Sequence, residues 1–404
     1  MYLQRHIEEI LKKAEKQTKV VLLTGARQVG KSTSIREIFK DYEYITLDDE
    51  NELRLALTDR TLFFKDRKFP MIIDEVQYAK ELMRAIKWVC DKSEKKGQIF
   101  ITGSQTYELL STAAESLAGR ISILEMSGLS CRERFCVPFH DAVLPTEDYI
   151  RAREQHLVPY TDLWEHIHRG SMPELLDSER DWEWFYRDYI RTYIERDVRK
   201  IINIKDEMKF RSFLVSIAAR SGQILVYEDI ARDIEVSTKT VKHWISVVAA
   251  SGLIKMIYPY HNNAIKRAIK APKLYFMDTG LLCYFVGWKT PETAKNGAMS
   301  GSIFETFVVS ELIKSYMNAG KSTDQIFYYR DKDKKEIDLL LEEENVLYPI
   351  EIKKGATASR DWIRHFSVLD KIAEKKIGNG AVFCQVEKKT AITETVSALP
   401  VEYL

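Results

Sequence analysis

The chain has 404 residues, 45% hydrophobic and 30% charged, the profile of a soluble globular protein too long for one compact core; two to four domains are expected. Lysine and arginine number 61 against 60 aspartate and glutamate, so no global positive field recommends nucleic acid, and any such partner must be met by a local patch. Five scattered cysteines without a Cys-x-x-Cys pair, Cys90, Cys131, Cys136, Cys283 and Cys384, argue for a reducing compartment rather than a disulfide framework.

The opening segment MYLQRHIEEILKKAEKQ is charged throughout and lacks the apolar centre of a signal peptide. No apolar run approaches the roughly 20 residues needed to span a bilayer. A cytoplasmic protein without a membrane partner is expected. The next stretch, KVVLLTGARQVGKSTSIREIF, predicts a buried β-branched strand over Val20 to Leu23, a loop, and an amphipathic helix from about Ser32. The loop fits G-x-x-x-x-G-K-[ST] and runs through Gly25, Ala26, Arg27, Gln28, Val29, Gly30, Lys31, Ser32 and Thr33. Glycines let backbone N–H groups turn inward around phosphates and the helix N-terminus adds partial positive charge, while Lys31 reaches the β and γ phosphates and Ser32 offers a hydroxyl to Mg²⁺.

FPMIIDEVQ supplies an apolar strand, Met71 to Ile73, ending in two acids. Asp74 is expected to hold Mg²⁺ through water and Glu75 to polarise the attacking water; the alternative is an ordinary strand terminus. A further apolar strand, QIFITGSQ, ends at Gly103 and Ser104, where a hydroxyl is expected to sense the γ phosphate; the alternative is an ordinary loop-end serine. With strands at YEYITLDD and ISILEMSG, five strands alternate with helices, which predicts a mostly parallel sheet with its ligand at the strands' C-terminal ends. Arg120 is read either as an arginine finger completing a neighbouring copy's site, which requires a homo-oligomer, or as a surface arginine. NIKD at Asn203 has the wrong order for a guanine-reading motif; adenine is expected.

Beyond Cys136, Pro138, Pro145 and Pro159 punctuate short helices, and DWEWFYRDYIRTYIERDVRKI reads as a long helix whose aromatic stripe packs into a core. This segment, 136–205, is expected to be a helical lid after an ATPase core over 1–135. From Phe210 to Met277, three consecutive helices and two strands predict a winged helix-turn-helix within 206–289. In its third helix Val241, Trp244, Ile245 and Val248 face inward, Ser237 is the N-cap, and Thr238, Lys239 and Lys242 face out. Lys255, Lys266, Arg267, Lys270 and Lys273 form a basic wing suited to DNA phosphates. The alternative is a protein-contacting module.

A last domain, 290–404, opens with IFETFVVSELIKSYM, a helix with Phe304, Phe307, Val308 and Leu312 inward. A hairpin turning at Glu344 and Asn345 pairs Leu341 with Tyr348, Leu339 with Ile350, Ile337 with Ile352 and Asp338 with Glu351, giving one wholly apolar face. Two acids about 5 Å apart repel unless a positive group sits between them. A Mg²⁺ or Mn²⁺ ion with Lys353 beside it removes that conflict and suits a phosphodiester substrate; the alternative is a solvated face balanced by Lys353, Lys334 and Lys335. A helix near Trp362 to Lys376 and a strand at GAVFCQV complete the domain.

The segments GARQVGKS, MIIDEVQ, ITGSQ, LAGRI, MPEL, TYIERDV, LYFMDTGLL, IFETFVVSEL and EIDLLL with IEIKKG resemble, over essentially the whole chain, the prokaryotic AAA+-type P-loop ATPases with a C-terminal domain of once unknown function. That resemblance implies an α/β protein: a P-loop parallel sheet, helical lid, winged helix-turn-helix and a C-terminal restriction-endonuclease-like α/β domain with the PD-(D/E)xK pattern. It assigns Asp338, Glu351 and the helical Glu305 to metal and Lys353 to catalysis. Ile337 stands where that pattern has proline. An ATPase acting on DNA, coupling nucleotide state to a nuclease, is one reading; an ATP-gated switch with an inactive endonuclease-like domain is the other.

Overall fold

The computed structural model describes residues 2–104, 107–192, 207–261, 271–372 and 374–404. Strands β1 (Val20–Gly25), β2 (Glu43–Thr46), β3 (Met71–Asp74), β4 (Ile99–Ser104) and β5 (Ile121–Glu125) form one parallel sheet in the order β2-β3-β4-β1-β5. β1, β3 and β4 are buried at every position, so their sequences run apolar instead of alternating. Their C-terminal ends lie side by side, and each ends in residues expected at the nucleotide.

Short helices follow at Glu147–Glu154, Leu163–Arg169 and Trp182–Tyr189. Asp181 caps the last of these by accepting from Trp184 N at 2.6 Å, and the helix buries Phe185, Tyr186 and Tyr189, as its stripe predicts. Its expected continuation, with Asn203, lies outside the described residues. Three helices come next, Glu207–Ala218, Tyr227–Asp233 and Thr238–Ala250. The third starts at Ser237, whose Oγ accepts from Thr240 N at 3.0 Å; it buries Val241, Trp244, Ile245 and Val248 and leaves Lys239 and Lys242 exposed, with Thr238 half-buried. β6 (Ile254–Pro259) and β7 (Lys273–Phe276) then pair antiparallel.

The expected basic wing is corrected at both of its described ends. Lys255 is bound to Glu125 at 2.7 Å, and Lys273 is buried between Glu305 and Glu336. The buried Lys273 ammonium is held by its carboxylates and does not meet phosphate, and the half-buried Lys255 is paired with Glu125. Lys266, Arg267 and Lys270 lie outside the described residues.

β6 also runs parallel to β8 (Ile326–Arg330), so the middle region and the C-terminal region share one nine-stranded sheet. It continues through β9 (Glu336–Glu343), β10 (Val346–Ile352), β12 (Gly380–Cys384) and β14 (Val396–Pro400), with β11 (Lys376–Ile377) and β13 (Thr390–Ala391) as short additions. The Ser300–Asn318 helix buries Phe304, Phe307, Val308 and Leu312 as expected, but also Thr306, Ser310, Glu311 and Lys314 on its other sides. Glu311 is satisfied by Lys314 at 2.8 Å and by Cys131 N at 2.7 Å, which is how a helix with charged residues stays enclosed.

Glu344 and Asn345 adopt φ of 47° and 67°, the left-handed pair a two-residue hairpin turn requires, and the pairs Tyr348–Leu341 and Ile350–Leu339 form in the predicted register. The apolar face breaks at Ile337. Between the pairs Phe327–Leu340 and Tyr329–Ile337, β9 carries one residue more than β8. This bulge turns Ile337 into a cluster with Phe327, Leu340, Leu347 and Leu369, away from Leu339, Leu341, Ile350 and Ile352. A second correction concerns the helix expected over Trp362 to Lys376, where short 3₁₀ turns (Arg360–Ile363, Phe366–Val368) lead into a helix at Leu369–Ile372. Phe366 packs against two apolar clusters there, a demand one continuous helical stripe does not meet. No helix among the described residues is long and apolar enough to cross a membrane.

Candidate functional site

The loop after β1 folds as a phosphate cradle because its backbone demands residues that tolerate positive φ. Gly25 has φ 149° and a Cβ there would lie 2.0 Å from Met126 O; Gly30, with φ 95°, opens the Lys31–Ile38 helix. Lys31 is buried and donates to Gly25 O at 3.1 Å and Ala26 O at 2.8 Å, so its ammonium lies folded into its own loop. Val29 packs into the core, Thr33 is exposed, Gln28 takes a φ of 61°, and Arg27 donates to Tyr78 Oη at 3.2 Å.

Ser32 Oγ donates to Asp74 Oδ1 at 2.9 Å. Asp74, 4% exposed, also accepts from Tyr44 Oη at 2.6 Å and from Thr102 Oγ1. Tyr44 and Thr102 were not legible as site residues; the available signal was that each lies near the C-terminal end of a strand adjacent to β3. Glu75, at φ 60°, is held by Gln77 Nε2, and Gln77 Oε1 accepts from Ser104 N at 3.1 Å. Burial raises the Glu75 carboxyl above its usual range. Ser104 Oγ is buried with no hydrogen-bond partner among the described residues, an acceptor-seeking hydroxyl beside the cradle. This donor set fits a nucleotide with Mg²⁺: a hydroxyl and a carboxylate for the ion, an amine and an orphaned hydroxyl for phosphate.

Burial pushes the Lys31 ammonium down to about 8 from an ordinary 10.5, although Glu75 and Asp74 oppose it. A bound triphosphate restores that charge, so ATP binding should take up a proton at about pH 8.5. Calorimetry in buffers of different ionisation enthalpy checks this; a binding enthalpy independent of the buffer counts against it.

Arg120 stands before β5, at the end of the parallel sheet opposite the cradle, in a fork with Asp91 (Nε–Oδ1 2.6 Å, Nη2–Oδ2 3.1 Å). Action on a neighbouring copy requires that fork to open.

The second group of candidate residues lies at the bulge of β9. Asp338 and Glu351 are 8% and 7% exposed, and Lys353 Nζ lies 2.6 Å from Glu351 Oε1 and 3.4 Å from Asp338 Oδ2. The expected pairing of Asp338 with Glu351 as ladder partners is replaced by a different link: Asp338 Oδ2 accepts from Ile352 N at 2.8 Å. The bulge re-aims the aspartate across the strand end. Glu305 is diverted. It accepts from Tyr275 Oη at 2.7 Å and Lys273 Nζ at 3.3 Å, which takes it out of a common ligand set with Asp338 and Glu351. Among the described residues no three acidic, histidine or cysteine side chains stand together as a metal-holding group. Lys273 also binds Glu336 at 2.6 Å, and Glu336 in turn meets Arg330 at 3.2 Å.

Four carboxylates (Glu305, Glu336, Asp338, Glu351) thus meet three cations (Lys273, Arg330, Lys353). Burial, and next the charge of Asp338, pushes Glu351 up to about 8 despite Lys353. With its folded pKa above the ordinary 4.5, Glu351 binds more protons folded than unfolded, so its contribution is present below about pH 4.5 and is lost as pH rises through 8. Asp338→Asn should flatten the loss of stability over that window in urea titrations; an unchanged slope would show that the repulsion is absent.

Residues 17–135 match the family described as AAA domain, residues 160–292 a Domain of unknown function (DUF8612), and residues 300–404 a Domain of unknown function (DUF4143). Uncharacterized proteins of Mycobacterium bovis and Mycobacterium tuberculosis are each 26% identical over 396 residues, covering 98% of this chain and 82% of theirs. Among solved structures, the Walker-type ATPase PABY2304 of Pyrococcus abyssi is 14% identical, with 70% of this chain and 96% of that chain covered at a TM-score of 0.40. AMPPCP-bound DnaA from Aquifex aeolicus is 13% identical, with 60% and 85% covered at a TM-score of 0.26. The AAA match covers the segment that carries the cradle loop, Ser32, Asp74 and Glu75.

Proposed function

We propose that this protein binds and hydrolyses ATP at the cradle and uses the nucleotide state to control a phosphodiester-cleaving site at Asp338, Glu351 and Lys353, with the three-helix region and its β6–β7 pair acting as a winged helix that presents DNA. The observation that carries the ATPase half is the convergence of Lys31, Ser32, Asp74 and Glu75 on one loop. Ser32 and Asp74 hold Mg²⁺, which when bound offsets charge on the phosphates. Lys31 binds the β and γ phosphates, Glu75 orients and deprotonates water, and Ser104 donates to the γ phosphate. The contact of Lys353 with both buried acids supports the cleaving half. Asp338 and Glu351 suit a single Mg²⁺ or Mn²⁺, since two hard carboxylates gathered around one ammonium repel each other and a divalent cation offsets that repulsion. On the DNA side, the exposed Lys239 and Lys242 of the third helix replace the buried Lys273 and the ion-paired Lys255 as the phosphate contacts.

Incubation of the full chain with plasmid DNA and Mn²⁺ tests this directly. Cleavage is expected, with loss of about 10²-fold or more in Asp338→Ala and Glu351→Ala, while Lys239→Ala with Lys242→Ala weakens DNA binding and flattens its salt dependence by about two counterions. Cleavage retained in both acid variants overturns the site. A second reading, an ATP-gated switch whose C-terminal region recognises without cutting, is favoured by the diversion of Glu305 to Lys273; it predicts hydrolysis, nucleotide-dependent affinity for DNA, and no cleavage.

A further inference from the structure

We infer that the segment from Lys273 to Asp278, β7 and the two residues after it, is a rod that couples the nucleotide cradle to the C-terminal acidic site, with Asp278 as the positioning residue at one end and Lys273 and Tyr275 at the other. The inference rests on the proposed ATP site and concerns the regulation of the acidic one.

At the cradle end, Asp278 is 5% exposed and accepts four hydrogen bonds: Ser171 N at 2.6 Å and Ser171 Oγ at 2.7 Å on Oδ2, Tyr186 Oη and Leu281 N at 2.6 Å each on Oδ1. A buried carboxylate held this way has one position, because moving it strands a charge without donors. Ser171 O accepts from Leu129 N at 2.7 Å, and Met126 N, three residues earlier, donates to Thr24 O at 2.8 Å at the entrance to the loop. Ala26, Val29, Met126, Met172, Met277 and Asp278 line one narrow cavity, with room for little more than a single water, between the loop and the carboxylate. The surrounding glycines are packed to the limit. A Cβ on Gly170 or Gly280 would fall 2.2 or 2.3 Å from Tyr186 Oη, and one on Gly128 2.4 Å from Ser171 Oγ.

At the far end, Lys273 and Tyr275 leave the same side of β7 and grip Glu305 at 3.3 and 2.7 Å, and Lys273 also grips Glu336 on the strand that carries Asp338. All four residues of β7 are buried, and β6 fixes the strand through the pairs Ile254–Phe276 and Ile257–Lys273. Phosphates entering the cradle must draw Lys31 away from Gly25 O and Ala26 O. That loop follows Thr24, whose carbonyl is bonded to the segment holding Met126 and Leu129, and Leu129 N in turn donates to Ser171 O. Close-packed interiors shift between discrete arrangements and do not bend continuously, so displacement at Ser171 is carried along β7 to Glu305.

Hydrogen exchange of the full chain, with and without saturating ATPγS and Mg²⁺, measures this coupling. Nucleotide should slow exchange by about tenfold in the cradle and also in residues 300–312. In Asp278→Asn, also at saturating nucleotide, the cradle stays protected while the difference at 300–312 disappears. Ser171→Ala, which removes one hydroxyl donor only, should halve that difference, and serves if the first variant does not fold. A purely structural role for Asp278 would alter exchange with and without nucleotide alike and leave the difference intact; that result overturns the rod. So does a wild-type chain protected at the cradle but unchanged at 300–312. Absence of protection at the cradle itself defeats the ATP reading, and the coupling with it.

Discussion

Glu75→Gln should keep ATP bound and lower its steady-state hydrolysis by about 10²- to 10⁴-fold, the range a positioned general base supplies. The amide retains the shape of the side chain and its contact with Gln77 but accepts no proton from water. Burial already raises the Glu75 carboxyl, which brings its basicity closer to what proton transfer near neutral pH demands. Lys31→Ala should instead lose binding, since no other ammonium among the described residues is folded into the cradle loop. Nucleotide binding followed by fluorescence, paired with phosphate release, separates the two variants. Turnover near the wild-type rate in Glu75→Gln would remove Glu75 from the chemistry, and binding retained in Lys31→Ala would remove the cradle.

Lys273→Met should destabilise the C-terminal sheet by about 1–3 kcal/mol, since the half-buried Glu305 and Glu336 lose their shared ammonium but keep Tyr275 and Arg330. Lys273 is 3% exposed, and its ammonium stays well above its ordinary range: burial pulls it down, but Tyr275, Glu305 and Asp338 more than offset that. Removing it takes the shared cation from Glu305 and Glu336 and leaves the charge of Asp338 acting on Glu305. Adding Glu336→Gln to the variant should recover part of the loss, because one of the uncompensated charges goes with it. Urea titration read out at the C-terminal region checks both steps; a shift below about 1 kcal/mol, the range of exposed pairs, would mean the ion group is solvated.

Legibility differed along the chain for physical reasons. The cradle was readable because the constraint is local: Gly25 and Gly30 are dictated by backbone conformation, and Lys31 and Ser32 sit at fixed offsets from them. The hairpin register was readable because two left-handed residues, Glu344 and Asn345, fix a two-residue turn and with it every pairing out to Ile350. The bulge at Asp338 was not. It arises from the partner strand β8, whose spacing against β9 leaves no mark in the hairpin's own sequence. Lys273 was misread for a similar cause: in sequence it belongs to a run of bases with no acid nearby, and its two acids arrive from 32 residues further on, in Glu305, and from β9, in Glu336.

Sequence by itself determined the parallel order of apolar strands, the phosphate loop with its two acids, the three-helix register and the two-residue turn, since each is set by contacts within a few residues or by a strict period of side-chain direction. Only the tertiary structure decided that β6 joins the middle region to the C-terminal sheet, that Glu305 answers to Lys273 and Tyr275, and that Asp278 binds the loop beside the cradle. Those choices depend on which distant charges lose their water together, and burial of that kind has no signature along the chain.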